Sequence, residues 1–318
     1  MVRRVICVLA GGVGAARLLA GLVRVVPPAE ITVVGNVGDD LVLHGLHISP
    51  DLDTITYTLA DQVDPDRGWG LRDETWQAMD MVGRYGGVAW FNLGDRDLGT
   101  HLYRTHRLSE GATLSEVTAE VVAAWELGFR LLPVTDDPIR TRVTVVDPDA
   151  EREVGFQEWF VQRRHDVAVR ALRFAGVEEA SPAPGVLEAI LEADAVVVAP
   201  SNPLVSIGPL LAVAGVEDAV RSVRDKVVAV SPIVAGAALK GPADQLMTDL
   251  GHEATVVGVA RLYADLAGTL VIDEADAALV GAVEAEGMRA LATPTVMSTP
   301  DVAAELGRTL LGAVDVAP

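Results

Sequence analysis

Short apolar runs recur along the whole chain, and each is followed by glycine, proline or small polar residues. Runs of this kind are typical of strands that are buried on both faces of a parallel sheet. We predict strands at residues 5–10, 31–35, 131–134, 195–199, 227–230, 254–259 and 269–272.

The segments between these runs predict helices. We place them at residues 15–25, 53–60, 73–85, 114–127 and 302–311, with Asp73 as the N-cap of the third. Strands and helices that alternate at this spacing favour an α/β fold with a doubly wound, mostly parallel sheet.

One part of the chain breaks the parallel pattern. Residues 141–146 and 152–156 flank the sequence Asp147-Pro148-Asp149-Ala150, which predicts a β-hairpin. We therefore expect a smaller α+β lobe that is inserted into the main sheet. The predicted core comprises residues 1–134 and 185–318, and the predicted lobe comprises residues 135–184.

The net charge of the chain limits the classes of partner that it can bind. The 318-residue chain is half apolar but carries a formal net charge of −20, which repels nucleic acid and anionic lipid. A phosphate site must then be local, built from backbone amides, a metal or a few arginines. Cys7 is the single cysteine, and no apolar run approaches the ~20 residues of a membrane helix. We expect a cytoplasmic protein without disulfides.

An acidic stretch follows the predicted strand at 31–35. It contains Asn36-Val37-Gly38-Asp39-Asp40 and then Ser49-Pro50-Asp51-Leu52-Asp53-Thr54. Loops at the carboxyl ends of parallel strands carry ligands, and clustered carboxylates attract a hard cation. Asp39, Asp51 and Asp53 are therefore candidate Mg²⁺ ligands. The alternative is that these residues only cap helices and form turns.

A glycine-rich turn follows the first predicted strand. Gly11, Gly12, Val13 and Gly14 lie between a strand and a helix, where backbone amides can bind a phosphate. Arg17 stands at the third small position of the dinucleotide pattern, and Asn36 stands where an acid would bind a ribose, so NAD is disfavoured. Ser201 and Asn202 follow another strand and are further nucleotide-binding candidates. A plain tight turn is the alternative for the glycines.

Polar groups follow the aromatic pair Trp90-Phe91. Asn92, Asp95, Arg96 and His101 suit the binding of a flat ligand with polar edges, although Asp95 and Arg96 could equally form a surface pair. Arg140 and the adjacent pair Arg163 and Arg164 are candidates for a phosphate clamp, and the alternative for the pair is a solvated surface.

Five segments together resemble the CofD/FbiA family, in the order of that family and over most of the chain. They are Gly11-Gly12-Val13-Gly14, Ser49 to Thr54, Leu93-Gly94-Asp95-Arg96-Asp97 with His101, Leu132 to Pro138, and Ser201-Asn202-Pro203 with Ser206-Ile207-Gly208-Pro209. The resemblance implies transferases that build the deazaflavin cofactor F(420), with a Rossmann-like core, a smaller lobe, Mg²⁺ and usually a homodimer.

The resemblance also implies a reaction. A three-carbon acid phosphate would move from a guanosine diphosphate conjugate onto the deazaflavin Fo, with release of GMP. In that reaction Asp53 or Asp51 would be the catalytic base that accepts the proton of the Fo hydroxyl. The transferred group is 2-phospho-L-lactyl in the archaeal type and phosphoenolpyruvyl in the actinobacterial type. No visible residue chooses between them, but a composition rich in alanine, valine, glycine and arginine favours the actinobacterial type. The family places contacts to Fo at Asp53 and Asn92; many archaeal members have lysine at the second position.

Two other functions compete with this interpretation. A non-enzymatic regulator that binds a nucleotide sugar would share the glycine turn and the sheet, but it gives no reason for residues 93–97 or for the second acidic segment. An NAD-dependent oxidoreductase is disfavoured by Arg17 and Asn36.

Overall fold

The centre of the fold is a parallel sheet. The computed structural model describes residues 4–314, and within them seven strands pair in parallel. All strands of the described chain are, in order, β1 (Ile6–Ala10), β2 (Ile31–Gly35), β3 (Leu41–Leu43), β4 (Leu46–Ile48), β5 (Arg130–Pro133), β6 (Arg140–Val146), β7 (Glu151–Gly155), β8 (Val169–Ala175), β9 (Ala195–Val198), β10 (Val227–Val230), β11 (Ile233–Val234), β12 (Ala237–Ala238), β13 (Thr269–Ile272) and β14 (Arg289–Ala292).

Helices surround this sheet. They are α1 (Gly12–Leu22), α2 (Pro50–Leu59), α3 (Gln77–Arg84), α4 (Asp97–Ser109), α5 (Leu114–Ala124), α6 (Val186–Leu191), α7 (Gly208–Ala212), α8 (Val216–Ser222), α9 (Ala243–Asp249), α10 (Val256–Tyr263), α11 (Val280–Ala285) and α12 (Pro300–Ala313). Strands β1, β2, β9, β10 and β13 are mostly apolar and fully buried, as the continuous runs predict, whereas the edge strand β14 has the exposed residues Arg289 and Ala292.

The order of the strands indicates where a ligand would bind. Across the sheet they lie β14-β13-β10-β9-β1-β2-β5, so the winding reverses between β1 and β9. Val8 of β1 pairs with Val33 on one side and Val197 on the other. In open α/β sheets the loops beyond the carboxyl ends of two such strands form the binding crevice. The predicted doubly wound α/β fold is confirmed.

A second, antiparallel sheet lies between β5 and β9 in the chain. Strands β6 and β7 form the predicted hairpin, and β8 pairs with the other edge of β6. Val143, Val145 and Trp159 form the centre of its own small core. These strands fall within the predicted lobe at 135–184. The limits of lobe and core stay a prediction, and residues 1–3 and 315–318 of the predicted core lie outside the described residues.

Several predicted elements are wrong in type or extent. Residues 254–259 are the start of helix α10, because Thr255 caps its first turn and a short apolar run does not separate strand from buried helix. Strand β14 and helix α4 were not predicted. Helices α1 and α2 begin three residues earlier than predicted. Helix α3 begins at Gln77, and Asp73 has a positive φ of 55° instead of capping it.

Among residues 4–314, no single helix is long and apolar enough to cross a membrane. The pair Pro203–Ala212 and Val216–Ser222 reaches that length and composition only when its two helices are taken together, and the pair is bent by 97°.

Candidate active site

A cavity of about 730 Å³ opens at the place where the winding of the sheet reverses. Its walls come from the turn after β1, the start of α2, the loop after β9 and the segment after β12. Residues 156–161, which follow β7, close a further side. All six predicted nucleotide-binding residues line it: Gly11, Gly12, Val13, Gly14, Ser201 and Asn202.

The turn after β1 and the loop after β9 are locked together. The Ser201 hydroxyl donates to the Gly11 carbonyl over 2.7 Å and accepts from the Gly11 amide over 3.3 Å. Gly14 lies so close to the same loop that an added Cβ would be 2.4 Å from the Pro200 carbonyl oxygen. The glycine at this position is therefore required for packing between helix α1 and the loop.

Gly12 and Asn202 both line the cavity. Gly12 has an unusual backbone conformation, and Asn202 has an unusual side-chain environment. Gly12 has a φ of +73°, which L-residues with a Cβ adopt at a cost. The Asn202 side-chain oxygen accepts from the Leu204 amide over 2.9 Å, whereas its buried Nδ2 has no hydrogen-bond partner among the described residues. A buried donor without a partner fits an acceptor atom on a ligand.

Two buried carboxylates, Asp39 and Asp51, lie beside the glycine turn. Asp51 accepts from Asn36 Nδ2 over 2.9 Å and from the Gly12 amide, yet burial raises its pKa to about 6. Burial and then the charge of Asp51 raise the pKa of Asp39 well above its ordinary value, and Asp39 Oδ1 has no hydrogen-bond partner in the described chain. The two carboxylates repel each other, and a bound cation would relieve that repulsion.

The third predicted acid, Asp53, has a different environment. Arg104 of α4 donates to both of its oxygens, over 3.1 Å from Nη1 and also from Nη2. The two side chains are almost fully buried. An ion pair of this geometry places a positive charge against the carboxylate and fixes its orientation.

Helix α4 supplies the remaining polar groups at this end of the cavity. Asp97, His101 and Arg104 are spaced so that one helix face carries all three. His101 Nε2 lies 3.3 Å from Asp97 Oδ2, and the Tyr57 hydroxyl donates to Asp97 Oδ1 over 2.6 Å. Burial raises the pKa of Asp97, but His101, Tyr57 and Arg104 outweigh it and hold that pKa below its ordinary value.

Aromatic rings form another part of the wall. Trp69, Phe91, Phe156 and Phe160 line the cavity, while Trp90 packs edge-on against Phe91 at 5.9 Å without lining it. Asn92 is exposed, lines the cavity and makes no hydrogen bond to the part of the chain that the structure describes. This wall suits a planar ligand.

A comparison with protein families decides the relationship. The model of the family described as 2-phospho-L-lactate transferase CofD matches residues 6–298. The chain belongs to the CofD family. This confirms the resemblance that the five segments predicted, and it makes the chain a member of a transferase family.

Curated members of known name are similar over nearly the whole chain. A phosphoenolpyruvate transferase of Streptomyces griseus is 46% identical over 308 residues, which cover 96% of this chain and 97% of that protein. One from a Mycobacterium species (strain JLS) is 44% identical over 324 residues, covering 95% and 96%. A crystal structure of a Bacillus halodurans protein of the UPF0052 family shares the fold, with a TM-score of 0.63, 17% identity and coverage of 98% and 99%.

Some residues predicted for the CofD site lie outside the cavity wall. The Asp95 carboxylate accepts from the Gln77 and Ala78 amides, each over 3.0 Å, and so caps helix α3. Arg96 Nη1 donates to the Arg72 carbonyl over 2.6 Å. His101 does line the cavity, but only 1% of it is exposed.

The predicted phosphate clamp is also elsewhere. Arg163 pairs with Asp147 at 2.8 Å in the small lobe, and its exposed neighbour Arg164 has a φ of +53°. Arg140 lines a second cavity, of about 360 Å³, together with Leu41 of β3 and His47 of β4. None of the three arginines is part of the wall of the main cavity.

Sequence reasoning missed Asp97, Arg104 and Tyr57. The first two have a signal, because Asp97, His101 and Arg104 recur at helical spacing on one face of α4. Tyr57 has none, since its contact with Asp97 joins positions 40 residues apart. Among residues 4–314, Asp53, Asp97 and His101 form the set that brings three possible metal-ligand atoms within 4.8 Å.

Proposed function

We propose that this CofD-family member transfers a phosphoenolpyruvyl group from a guanosine diphosphate conjugate to the deazaflavin Fo, in the biosynthesis of coenzyme F(420). The oxygen of the primary ribityl hydroxyl attacks the phosphorus that bears the enolpyruvyl group. The bond from that phosphorus to the GMP oxygen breaks, GMP leaves, and the hydroxyl proton passes to a carboxylate of the cavity.

The observation that carries the proposal is that one cavity is lined by two unlike sets of groups. A glycine turn with the unpartnered Asn202 Nδ2 suits a nucleotide diphosphate, and the aromatic wall beside Asn92 suits a flat heterocycle. The buried carboxylates Asp39, Asp51 and Asp53 line the same cavity. A volume of about 730 Å³ is within the usual range for a ligand site, ~300–1,000 Å³.

The choice of the enolpyruvyl group is supported by the relatives. The Streptomyces and Mycobacterium proteins that align along nearly all of this chain are both named phosphoenolpyruvate transferases. The composition favours the same donor.

Mg²⁺ fits Asp39 and Asp51 better than Asp53. Asp39 Oδ1 lacks a partner among the described residues and the two acids repel each other, whereas Arg104 already neutralises Asp53. The set formed by Asp53, Asp97 and His101 is less suitable for the same reason. When bound, the ion would neutralise charge on the diphosphate.

Asp53 then acts on the acceptor. A carboxylate offers about four lone-pair sites, so Asp53 can accept from Arg104 and still accept from the ribityl hydroxyl. Arg104 fixes the direction of that acceptor, and a positioned hydroxyl needs little further chemistry when the transition state is loose. We assign Arg104 as a positioning residue and Asp53 as the group that takes the proton.

The test is a transfer assay with both donors. The purified protein is incubated with Fo, Mg²⁺ and either the enolpyruvyl or the lactyl conjugate of guanosine diphosphate, and Fo is analysed by mass spectrometry. We expect the mass of Fo to rise by one phosphoenolpyruvyl group and GMP to appear in equal amount. Transfer from the lactyl conjugate alone would refute the donor, and no transfer from either would favour the nucleotide-sugar-binding regulator.

A further inference from the structure

Two cations in the wall of the main cavity have no counter-ion in the part of the chain that the structure describes. Three arginine or lysine side chains of the described residues line it: Arg17, Arg67 and Lys240. Arg67 is neutralised, because it pairs with Asp64 at 2.8 Å and stacks over Trp76 at 4.9 Å. The side chains of Arg17 and Lys240 make no hydrogen bond or ion pair with any residue in 4–314.

Acidic residues outnumber basic ones in this chain, 45 to 25, yet some basic side chains have no carboxylate partner among the described residues. Arg84 and Arg164 are exposed examples in residues 4–314, whereas Arg17 and Lys240 are the two that line the main cavity. Exposed arginines such as Arg173 and Arg261 are paired with glutamates at 2.7 Å. Arg17 and Lys240 instead leave a local positive charge at the cavity, which offsets the negative field that an anionic ligand meets on approach.

Both cations lie beside the glycine turn. A Cβ placed on Gly68 would be 3.3 Å from Lys240 Nζ and 3.7 Å from Val13 Cγ1, so the ammonium group is close to Val13. Arg17 follows Val13 by one helical turn on α1 and therefore lies on the same face of that helix. The two charges thus belong to the end of the cavity that the turn forms.

We propose that Arg17 and Lys240 bind the diphosphate of the nucleotide donor; this rests on the proposed function. Their N–H groups donate to the phosphate oxygens and neutralise the charge that collects on GMP as it leaves. The assignment also explains why an arginine stands at the third small position of the glycine pattern. That position here is exposed and faces the ligand instead of packing against the sheet.

The experiment compares two variants with matched controls by calorimetry, using GDP, pyrophosphate and guanosine as probes. The variants are Lys240→Met and Arg17→Gln. Lys226→Met is the control for the first, since Lys226 Nζ only donates to the Ala193 carbonyl over 3.1 Å. Arg24→Gln is the control for the second, since Arg24 follows the same helix and pairs with the exposed Asp301.

We expect each variant to weaken GDP and pyrophosphate about tenfold or more, the loss for one charge-assisted hydrogen bond. Guanosine affinity and both controls should match the parent. Unchanged GDP affinity in both variants, or an equal loss of guanosine, would overturn the assignment of the two cations while leaving the transferase proposal intact. A parent that binds pyrophosphate but neither binds GDP nor transfers from its conjugate would refute the guanosine donor and keep the anion site.

Discussion

Arg104 of helix α4 donates to both carboxylate oxygens of Asp53 in helix α2, inside the protein. The pair joins two helices whose residues are 51 positions apart in the chain. It therefore fixes both the local structure and the direction in which an acidic group faces the cavity.

Removing one partner of this pair should destabilise the protein strongly. Arg104→Met leaves an uncompensated buried carboxylate, and we expect the free energy of unfolding to fall by ~3–5 kcal/mol. Denaturant unfolding measures it. Asp53→Asn with Arg104→Met should cost less than the two single changes added together, and strict additivity in this double-mutant cycle would show that the ion pair contributes little. Arg104→Lys should keep the fold but lower kcat, because lysine lacks the two-pronged contact.

Asp39 and Asp51 should control the response to Mg²⁺. Asp39→Asn and Asp51→Asn remove a positioned charge, and we expect turnover to fall by about a hundredfold or more. The loss should be largest at limiting Mg²⁺. Asp301→Asn is the control, because Asp301 is exposed and pairs only with Arg24 at the end of α1. Near-normal turnover of both variants at limiting Mg²⁺ would contradict the assignment of the ion.

The parts of this site that could be predicted from the sequence are those whose residues lie close together in the chain. The glycine turn and the acidic segments follow buried strands directly, so their place at one edge of the sheet follows from the rule for parallel sheets. Helix α4 was missed because Asp97–Ser109 is a polar helix with few apolar positions, and a buried strand or amphipathic helix leaves a clearer pattern.

Roles that depend on distant contacts could not be predicted. In the sequence, Asp95 resembles an acid that binds a ligand. In the structure it caps α3, because the amide of Gln77, the first residue of that helix and 18 positions earlier in the chain, donates to its carboxylate. Arg163 resembles a phosphate clamp until the lobe brings Asp147 to it. Lys240 becomes part of the cavity only because the segment after β12 lies next to Gly68.

Asp40, which belongs to the acidic stretch after β2, should make the free energy of unfolding of the metal-free protein fall as pH rises. Burial raises the pKa of Asp40 to about 7, above the ordinary value of 3.8 that it has when unfolded. Because the folded state holds the proton more tightly, the cost is absent below about pH 4, grows as pH rises, and is complete above pH 7. Asp40→Asn should therefore raise Tm at pH 8 and leave it nearly unchanged at pH 4.

A carboxylate with the opposite shift provides the control for that measurement. Backbone donation from Arg67 lowers the pKa of Asp64, so its contribution is present at neutral pH and lost as pH falls below its ordinary value. Asp64→Asn should lower Tm at pH 8. An Asp40→Asn variant whose Tm does not exceed that of the parent at pH 8, in chelator, would contradict the predicted direction.

Asn92 and Asp95 are three positions apart, and the structure predicts opposite consequences of changing them. Asn92 faces the cavity without a hydrogen bond to the described residues, and its amide can donate to a carbonyl of Fo. Asn92→Ala should raise the Kd for Fo by roughly five- to fifteenfold, the worth of one neutral hydrogen bond, with GDP affinity unchanged. Asn92→Lys, which keeps a donor, should retain Fo binding.

Asp95→Ala removes a helix cap and should cost ~1 kcal/mol of stability with little effect on either ligand. Calorimetry with Fo and GDP, beside thermal unfolding, separates the two. If Asp95→Ala weakens Fo while Asn92→Ala binds it as tightly as the parent, the acceptor edge of Fo is bound from the side of Asp95 and the orientation proposed for the ring is wrong.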